Sequence, residues 1–478
     1  MKERVRVRFA PSPTGLLHIG NARTAFYNKL FALKHKGSFI LRIEDTDVAR
    51  HDPAAEAAIM EDLRWLGLAW DEGPDTGGDH GSYRQSERTE IYQEHAQRLL
   101  QGKKAYPCYC TPEELTQMRE DLLAKGERPR YLGTCRGLSA QQVREREKEG
   151  RRPSLRFVVP EGATVVQDII HGKKVFANNL LEDFVIVRSD GRPAYNFAAV
   201  VDDALMAITH VIRGEDHLPN TPRQILLYEA LGFTPPRFAH HPLMVAPEGE
   251  RLSKRYGATS VRAYRAEGFL PQAVANYLAL LGGGISGGEE IIIWEEMVKR
   301  FSLEGIARSP ATFDIGKLRW VNRGHLRAMS GEDILRNARP FIQDFPLDKV
   351  DDRWLAQVMD AVKENVETLV EIKEYLPIFL PGEFSVDDEA RSALAEDGAV
   401  EAVKAMEAVV KGLKEVKEQD FPQIVAELKK RTGLKGKKLF APLRAALTSR
   451  AEGPELKNIL PLLGKQVILE RLAQALKK

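Results

Sequence analysis

The sequence predicts an α/β fold in which a parallel-sheet domain is split by an α+β insertion and followed by all-α C-terminal domains. Three observations support this prediction. The chain opens with a strand, a loop, a helix and a second strand, and strand patterns that stop near residue 85 resume near residue 185. Beyond about residue 325, apolar residues recur only at helical spacing.

The first strand and helix define the parallel sheet. Residues 4–9 alternate charged and apolar side chains, which is the period of a strand with one buried face. A turn-rich loop over 10–15 leads into a helix that stops near Gly37, and a second strand follows over 38–43. The apolar positions of this helix are Ala22, Phe26, Leu30 and Leu33. Such a βαβ unit indicates a Rossmann-type sheet with its ligand crevice at the carboxyl ends of the strands, where residues 44–47 stand.

The next segment has a mixed pattern that is typical of an insertion. Helices are predicted around 87–101 and 111–124, and short strands at 154–159 and 163–176. Strand patterns resume at Phe184–Val187 and Ile208–Arg213, with a helix over Pro222–Leu231. We therefore assign 1–84 and 186–245 to the two halves of the sheet domain and 85–185 to the inserted domain.

Helical periodicity dominates the C-terminal part of the chain. Apolar residues follow one another at steps of three and four residues from Trp354 to Val370. Pro381 and Gly382 are expected to join two helical domains, over 326–380 and 381–478. Residues 246–325 form a further segment between the sheet domain and these helices.

Composition limits the class of protein. The 478 residues are 43% apolar and 29% charged, and no apolar run approaches the roughly 18 residues that span a bilayer. The N-terminal residues lack the apolar stretch of a secretory signal, so we expect a cytoplasmic protein that makes no membrane contact. Lysine and arginine total 70 against 68 acidic residues, so the net charge alone does not indicate a polyanionic partner.

A basic cluster near the C-terminus is a local exception to this balance. Its members are Lys429, Lys430, Arg431, Lys435, Lys437 and Lys438. Such a cluster can face the phosphates of a nucleic acid, and it can equally be a solvated helix end and loop. The pattern leaves both interpretations open.

Two short motifs are candidates for phosphate binding. His18–Asn21 stand where the first loop enters the first helix, so an imidazole and the unpaired N–H groups of the helix point into one crevice. A histidine at this place can instead be a capping or core residue. Far downstream, Arg251–Arg255 form a basic loop that can clamp phosphates or remain a solvated turn. Both motifs follow elements of the split sheet domain, which favours a shared nucleotide site.

In these motifs the sequence resembles the class I aminoacyl-tRNA synthetases of the glutamyl type. The general family motifs are His-Ile-Gly-His and Lys-Met-Ser-Lys-Ser, and Asn21 and Arg251 are the altered positions here. The resemblance implies that His18 and Lys254 are catalytic and that the nucleotide is ATP, used with Mg²⁺. The implied ATP-binding residues are His18, Gly20, Asn21, Leu252, Ser253, Lys254 and Arg255.

Longer stretches are similar to the glutamyl branch in particular. They are Arg8–Gly15, Arg42–Asp47, Tyr83–Ser86, Val200–Asp203, Val211–Asp216 and Ala441–Thr448. The glutamate-binding residues that the resemblance implies are Arg8, Ala10, Ser12, Glu44, Tyr195 and Arg213. Among them, Arg8, Tyr195 and Arg213 would hold the side-chain carboxylate, as bidentate arginine donors can. Glu44 would pair with the ammonium group, and Ala199 departs from a polar glutamate-binding residue of some relatives.

The resemblance is close to full length and implies a reaction. ATP would activate L-glutamate to glutamyl adenylate, and the glutamyl group would pass to the 3′-terminal adenosine of tRNA(Glu). Family members generally need bound tRNA before they activate glutamate. Acceptor-stem binding would fall to 85–185, the phosphate loop and stem contacts to 246–325, and anticodon binding to 326–380 and 381–478.

Several properties remain expectations or open alternatives. We expect a monomer, and charging of tRNA(Gln) as well as tRNA(Glu) stays open. One alternative is a paralogue that binds RNA without activating an amino acid. Another is a small-molecule nucleotidylyltransferase of the same fold, although such enzymes have little use for the helical C-terminal domains.

The three cysteines suggest a metal site rather than a disulfide framework. Cys108, Cys110 and Cys135 are too few and too clustered for such a framework. By resemblance they correspond to a zinc site found in part of the family, with a fourth ligand two residues after the last cysteine. Gly137 stands there and has no donor side chain, whereas a closed zinc site needs four ligands, so Tyr131 is the candidate replacement. The hypothesis is that zinc binds weakly or not at all.

Overall fold

The computed structural model describes residues 4–47, 52–250, 252, 259–348, 350–380 and 387–477. Its strands are β1 Arg6–Phe9, β2 Ser38–Leu41, β3 Ala105–Cys108, β4 Ser154–Phe157, β5 Ala163–Asp168, β6 Gly172–Ala177, β7 Val185–Val187, β8 His210–Gly214, β9 Arg237–His241, β10 Met244–Val245, β11 Gly283–Ile285, β12 Phe301–Ile306 and β13 Ala311–Thr312.

Its α-helices are α1 Ile19–Lys34, α2 Pro53–Trp65, α3 Thr89–Gln101, α4 Pro112–Ala124, α5 Ala140–Lys148, α6 Tyr195–Leu205, α7 Thr221–Leu231, α8 Val261–Ala266, α9 Pro271–Leu280, α10 Trp294–Arg300, α11 Ile315–Ala328, α12 Gly331–Ala338, α13 Asp352–Val362, α14 Asp388–Leu394, α15 Ala399–Gly412, α16 Phe421–Thr432, α17 Lys437–Thr448 and α18 Leu456–Ala475.

The chain opens with the predicted βαβ unit. β1 and β2 are parallel neighbours, with Val7 opposite Phe39. α1 connects them and buries the predicted positions Ala22, Phe26 and Leu30. Leu33, in the last turn of α1, is instead 39% exposed. The first half of the predicted Rossmann-type sheet is therefore present.

The sheet continues through segments that are distant in the sequence. β8 runs parallel to β9, and β9 pairs in parallel with β5. Thr209, just before β8, donates its backbone N–H to the carbonyl oxygen of Arg6 at 2.9 Å, which places β8 beside β1. The carboxyl ends of β1, β2 and β8 consequently open on the same edge, as parallel strands require.

The strand predicted over 163–176 is in fact a hairpin of β5 and β6. The chain reverses at residues 169–171 because the Asp168 carboxylate accepts hydrogen bonds from the backbone N–H groups of Ile170 (2.9 Å) and His171 (2.8 Å). Gly172 completes the turn with a φ of 73°, a conformation that favours glycine. The hairpin extends the sheet beyond β9, with β5 beside β9 and β6 at the outer edge.

The inserted residues share a hydrophobic core with the sheet domain. β3, β4 and β7 form an antiparallel sheet, and Tyr92 and Leu99 of α3 lie in one buried cluster with Phe157, Phe197 and Val211. This shared core fixes the insertion on the sheet. The boundaries between the inserted domain, 85–185, and the two halves of the sheet domain stay predictions.

The chain divides into two compact units, of residues 1–263 with 275–314 and of residues 264–274 with 315–478. In the second unit, α12 packs on α13, α14 on α17, and α15 on α18. These helices and the parallel sheet of the first unit confirm the predicted fold class. The predicted joint at Pro381–Gly382 lies outside the described residues. Among the helices that the structure describes, none combines the length and the apolar character needed to cross a membrane.

Candidate active site

A cleft of about 750 Å³ opens at the carboxyl ends of β1, β2 and β8, beside the N-terminus of α1. Ten residues that the sequence analysis assigned to substrate binding line it: Arg8, Ala10, Ser12, His18, Gly20, Asn21, Glu44, Tyr195, Arg213 and Leu252. Other assigned residues, namely Arg251, Ser253, Lys254 and Arg255, lie outside the described residues. The assigned residues between Arg8 and Glu44 therefore meet Tyr195, Arg213 and Leu252 in one site.

His18 is the N-cap of α1 and faces the cleft. Its Nδ1 accepts a hydrogen bond from the backbone N–H of Gly20 at 3.1 Å. Burial lowers the pKa of His18, so its imidazole is neutral at pH 7. Since Nδ1 is the acceptor, the proton resides on Nε2, which is then a hydrogen-bond donor. The imidazole N–H and the positive end of the helix dipole together favour an anion at this end of the cleft.

The described residues on both sides of the segment 253–258 adjoin His18. Leu252 is buried and lines the cleft. Ile19 donates its backbone N–H to the carbonyl oxygen of Thr259 at 2.9 Å, and Val261 donates to Leu17 at the same distance. These bonds hold the chain after the segment against the loop that precedes α1.

Arg213, at the carboxyl end of β8, is a buried cation with uncharged partners. It is 4% exposed. Its partners in the described chain are His240 Nε2 (3.1 Å), Thr221 Oγ1 (2.9 Å), Gln224 Oε1 (2.8 Å) and Tyr195 Oη (3.5 Å). Burial lowers the pKa of Arg213, but a guanidinium remains protonated at pH 7. A buried positive charge of this kind is stabilised by an anion, and the cleft is the side from which an anion can arrive.

Arg8, by contrast, is already paired inside the protein. Its Nε and Nη2 donate to the two carboxylate oxygens of Asp203 at 3.1 and 3.3 Å. Arg42 donates to Asp203 Oδ1 at 2.6 Å and to Glu44 Oε1 at 3.0 Å. Burial opposes ionisation of Asp203, yet Arg42 and Arg8 hold its pKa below the usual value. Burial also raises the pKa of Glu44, although Arg42 acts in the opposite direction.

Asp202 and Asp203 pair with buried arginines beside this site, and the sequence analysis assigned them no role. Asp202 is fully buried and accepts hydrogen bonds from Arg88 Nε (2.7 Å), Gln85 Nε2 (2.8 Å) and Tyr92 Oη (2.8 Å). The available signal was two consecutive carboxylates in a helix that is otherwise apolar over 197–201. Because buried carboxylates need partners, such a pair indicates an internal ion network.

The three cysteines converge in the insertion. Their Sγ atoms lie within 4.8 Å of one another, with 3.6 Å between those of Cys110 and Cys135. Tyr131 Oη lies 3.4 Å from the Cys108 Sγ and accepts the backbone N–H of Cys135 at 3.0 Å. Gly137 contributes no side chain. The predicted replacement, Tyr131, is therefore in contact with the cluster.

Comparison with known proteins adds an independent finding. Residues 4–320 match the family described as "tRNA synthetases class I (E and Q), catalytic domain", and residues 333–476 match "Anticodon binding domain". The glutamate–tRNA ligase of Carboxydothermus hydrogenoformans is 47% identical over 467 residues, covering 96% of this chain and 97% of that protein. The glutamate–tRNA ligase of a Sulfurihydrogenibium species is 47% identical over 473 residues, covering 98% and 99%.

Solved structures are similar over the whole chain as well. The crystal structure of a glutamate tRNA ligase from Elizabethkingia meningosepticum in complex with its amino acid has a TM-score of 0.90 and 35% sequence identity. The alignment covers 100% of both chains. Glutamate-tRNA synthetase from Elizabethkingia anophelis has a TM-score of 0.89 at 36% identity, again with full coverage of both chains.

Proposed function

This chain belongs to the class I tRNA synthetases of the glutamate and glutamine family, and from that membership we infer that it is a glutamate–tRNA ligase. It uses ATP to convert L-glutamate into glutamyl adenylate and transfers the glutamyl group to the 3′-terminal adenosine of tRNA(Glu). Membership of a ligase family excludes the nucleotidylyltransferase alternative. The further assignments below, of residues, metal ions and partners, are part of the same proposal.

The observation that carries the choice of substrate is the guanidinium of Arg213. It is buried and charged at the cleft, and its partners in the described chain are neutral. The side-chain carboxylate of glutamate supplies the missing negative charge, whereas the carboxamide of glutamine does not. Tyr195 Oη, which accepts from Arg213 Nη1, adds a polar contact at the same place. Arg213 and Tyr195 are thus proposed to select the acidic side chain.

The remaining glutamate contacts are assigned by charge. Glu44 lies across the cleft and binds the ammonium group through a carboxylate that Arg42 orients at 3.0 Å. Arg8 contributes a positive field that Asp203 partly neutralises. Ala10 and Ser12, on the loop after β1, shape the pocket between them. This arrangement presents the α-carboxylate to the nucleotide.

The α-carboxylate attacks the α-phosphorus of ATP, and pyrophosphate leaves. Negative charge then develops on the phosphates, so the residues required are positioned donors rather than a covalent nucleophile. His18 Nε2–H, Gly20 and Asn21 face the phosphates from the start of α1, and Leu252, Ser253, Lys254 and Arg255 form the second ATP-binding segment. Asp47 and Asp216 line the cleft with oxygen atoms of the kind that Mg²⁺ prefers and would hold this ion, which would supply positive charge to the phosphates.

Replacing His18 by asparagine isolates the role of Nε2. Asparagine still caps α1, because its side-chain oxygen can accept the Gly20 N–H, but it has no donor at the position of Nε2. We expect adenylate formation to slow about tenfold, the value of one neutral hydrogen bond of about 1.4 kcal/mol. The rate of tRNA-dependent pyrophosphate exchange measures this effect. An unchanged rate would exclude Nε2 from the reaction.

The same histidine predicts the pH dependence. Because burial places the pKa of His18 below 6.5, the acceptor Nδ1 persists as pH falls through 6.5 and is lost only at lower pH. Any loss of adenylate formation that comes from His18 titration in the wild-type protein should therefore have its midpoint below pH 6.5. An acidic limb centred at 6.5 or above that is present in the wild type and absent from His18→Asn would contradict this.

The cysteine cluster fits a zinc ion geometrically. Two thiolates bound tetrahedrally at about 2.3 Å lie about 3.8 Å apart, close to the 3.6 Å between Cys110 and Cys135 Sγ. Cys108, Cys110, Cys135 and Tyr131 would be the four ligands, and zinc would tie β3 to the loop that carries Tyr131. A phenol binds zinc only after losing its proton, and burial raises the pKa of Tyr131. The proposed site is therefore weak.

Elemental analysis tests the zinc site. We expect purified protein to carry less than one zinc per chain after dialysis against a chelator, and Tyr131→Phe to carry less than the wild type under the same dialysis. Charging activity should persist in the chelated protein, because the cluster lies outside the cleft-lining set. Stoichiometric zinc that resists the chelator in both proteins would show that Tyr131 is not a ligand and that the site is strong.

The proposed partners are L-glutamate and tRNA(Glu), with tRNA(Gln) as an open second partner, and the proposed state is a cytoplasmic monomer. The six residues of the C-terminal basic cluster, 429–431, 435, 437 and 438, are all exposed. Their exposure supports a role in facing RNA phosphates, as does the match of 333–476 to an anticodon-binding family. The insertion 85–185 and residues 246–325 are proposed to contact the acceptor stem.

A charging assay tests the proposed function. Purified tRNA(Glu) and tRNA(Gln) are incubated separately with the protein, ATP, Mg²⁺ and radiolabelled L-glutamate, and label in acid-insoluble RNA is counted. Charging of tRNA(Glu) is the expected result, and the tRNA(Gln) sample decides whether the enzyme discriminates between them. Absence of label from both would favour the paralogue that binds RNA without activating glutamate.

A further inference from the structure

Two side chains behind the glutamate pocket, Asp168 and His240, form a chain of contacts that ends at Arg213, and the proposed function assigns neither of them a step. Asp168 ends β5, His240 lies on β9 and Arg213 lies on β8, and all three are buried. His240 Nδ1 lies 2.6 Å from Asp168 Oδ2, and His240 Nε2 lies 3.1 Å from Arg213 Nε. β5, β9 and β8 are consecutive neighbours in one sheet, with His240 directly opposite Arg213. The spacing is therefore set by the backbone.

These contacts fix the tautomer of His240. A guanidinium only donates hydrogen bonds, so the Nε2 atom that meets Arg213 has to be an acceptor. The ring proton consequently resides on Nδ1 and is donated to Asp168. Burial lowers the pKa of His240 to about 4 even though the hydrogen bond to Asp168 acts in the opposite direction. The ring is neutral at pH 7, which this pattern of one donor and one acceptor requires.

Asparagine has nearly the shape of aspartate but no charge, and it cannot replace Asp168 without the loss of a hydrogen-bond acceptor. Its Oδ1 accepts the backbone N–H groups of Ile170 and His171, and its Oδ2 accepts the backbone N–H and the Nδ1–H of His240. Both oxygens are therefore acceptors. An asparagine amide has one accepting oxygen and one donating NH₂ group. Its NH₂ group would therefore face either the N–H groups of Ile170 and His171 or the N–H groups of His240.

We propose, resting on the function proposed above, that Asp168 and His240 are positioning residues for glutamate recognition. Asp168 fixes the tautomer of His240, and His240 holds the Arg213 guanidinium in the orientation that binds the substrate carboxylate. Thr221 and Gln224 accept hydrogen bonds from Nη2 of the same guanidinium. Because Asp168 belongs to the hairpin of the predicted insertion, that hairpin contributes to substrate selection from behind the pocket.

Two substitutions break the chain at different links. Asp168→Asn removes one acceptor and forces His240 toward the other tautomer, whose Nε2–H opposes the donors of Arg213. His240→Asn retains a donor near the position of Nδ1, which can still reach Asp168, but has no acceptor for Arg213. In the charging assay with tRNA(Glu), we expect each variant to raise the KM for glutamate about tenfold, the loss of one buried hydrogen bond. The KM for ATP should stay within twofold, since neither residue lines the cleft.

Selection between substrates provides a second readout. A displaced guanidinium loses its advantage for a carboxylate over a carboxamide, so the ratio of kcat/KM for glutamate to that for glutamine should fall in both variants. Loss of folded protein would lower kcat for every substrate and would leave this ratio and both KM values unchanged.

Asp183→Asn is the matched control. Asp183 is also a buried carboxylate of the insertion, and it accepts hydrogen bonds from Tyr106 Oη at 2.9 Å and Val159 N at 2.8 Å. It has no contact with the His240–Arg213 pair. We expect this variant to melt at a lower temperature than the wild type and to keep its KM for glutamate.

The outcomes separate this inference from the proposed function. A wild-type protein that does not charge tRNA(Glu) would defeat the proposed function itself. With an active wild type, a glutamate KM within twofold in both Asp168→Asn and His240→Asn would overturn the positioning role. Nitrogen NMR of histidine-labelled protein tests the structural premise without any assay of activity: an Nδ1–H tautomer of His240 is expected in the wild type, and an Nε2–H tautomer would contradict it.

Discussion

Replacing Arg213 by glutamine is expected to lower kcat/KM for glutamate roughly a thousandfold, a loss of about 4 kcal/mol. Glutamine retains two N–H donors but not the charge. The guanidinium is 4% exposed and its partners in the described chain are neutral, so in the complex the substrate provides its counter-ion. Removing the cation leaves the desolvated substrate carboxylate without its counter-ion. The KM for ATP should change little, and initial rates of tRNA(Glu) charging measure both constants.

Arg6→Gln is the control for this prediction. Arg6 lies on β1, pairs with Glu72 at 2.6 Å and is absent from the cleft lining. Its replacement also removes a partly buried guanidinium from the same sheet, so it reports the general cost of such a loss. We expect its kcat/KM to stay within about threefold of the wild type, as for a partly exposed ion pair. Equal losses in the two variants would show that Arg213 acts on stability rather than on glutamate.

Replacing Lys254 by alanine is expected to slow adenylate formation on the order of a hundredfold while glutamate binding is retained. An ammonium group at the second phosphate-binding motif would neutralise charge that develops on the leaving pyrophosphate. This charge exists in the transition state and not on bound glutamate, so the effect falls on the rate. Lys254 lies outside the described residues, but Leu252 lines the cleft and Thr259 bonds to Ile19 beside His18.

Pyrophosphate exchange measures the rate for Lys254→Ala, and calorimetry in the presence of tRNA measures glutamate binding. Lys299→Ala is the matched control, because Lys299 is a strongly exposed lysine of the first unit that pairs only with Glu296 in the described chain. Its exchange rate should equal that of the wild type. Unchanged turnover in Lys254→Ala would remove this lysine from the mechanism.

The residues assigned to the substrate site came from the resemblance to the glutamyl branch, and their positions near strand ends explain why they meet in one cleft. Arg8 and Arg213 lie near the carboxyl ends of β1 and β8, and Glu44 lies just after β2; parallel strands bring these ends to one edge. Side chains separated by up to 205 positions, from Arg8 to Arg213, therefore line the same cleft. The predicted order of strands and helices accounts for this convergence, whereas the roles of the individual residues rest on the resemblance.

The contacts that hold these side chains were not predictable in the same way. Asp203 pairs with Arg8 across 195 positions, and Asp168 with His240 across 72. The first pair depends on where α6 lies against β1, and the second on strand order and register, neither of which a single sequence specifies. The strand predicted over 163–176 illustrates the difficulty, because the turn over 169–171 divides it into the two paired strands β5 and β6. The Asp168 side chain, which accepts the backbone N–H groups of Ile170 and His171, stabilises the reversal, and Gly172 completes it.

The central claim is that this cleft forms glutamyl adenylate from ATP and L-glutamate. Exchange of labelled pyrophosphate into ATP measures this step directly, with each component omitted in turn. Label should enter ATP only when L-glutamate, Mg²⁺ and tRNA(Glu) are all present, and Arg213→Gln should abolish most of it. Exchange that proceeds equally well without glutamate, or no exchange with every component present, would contradict the account.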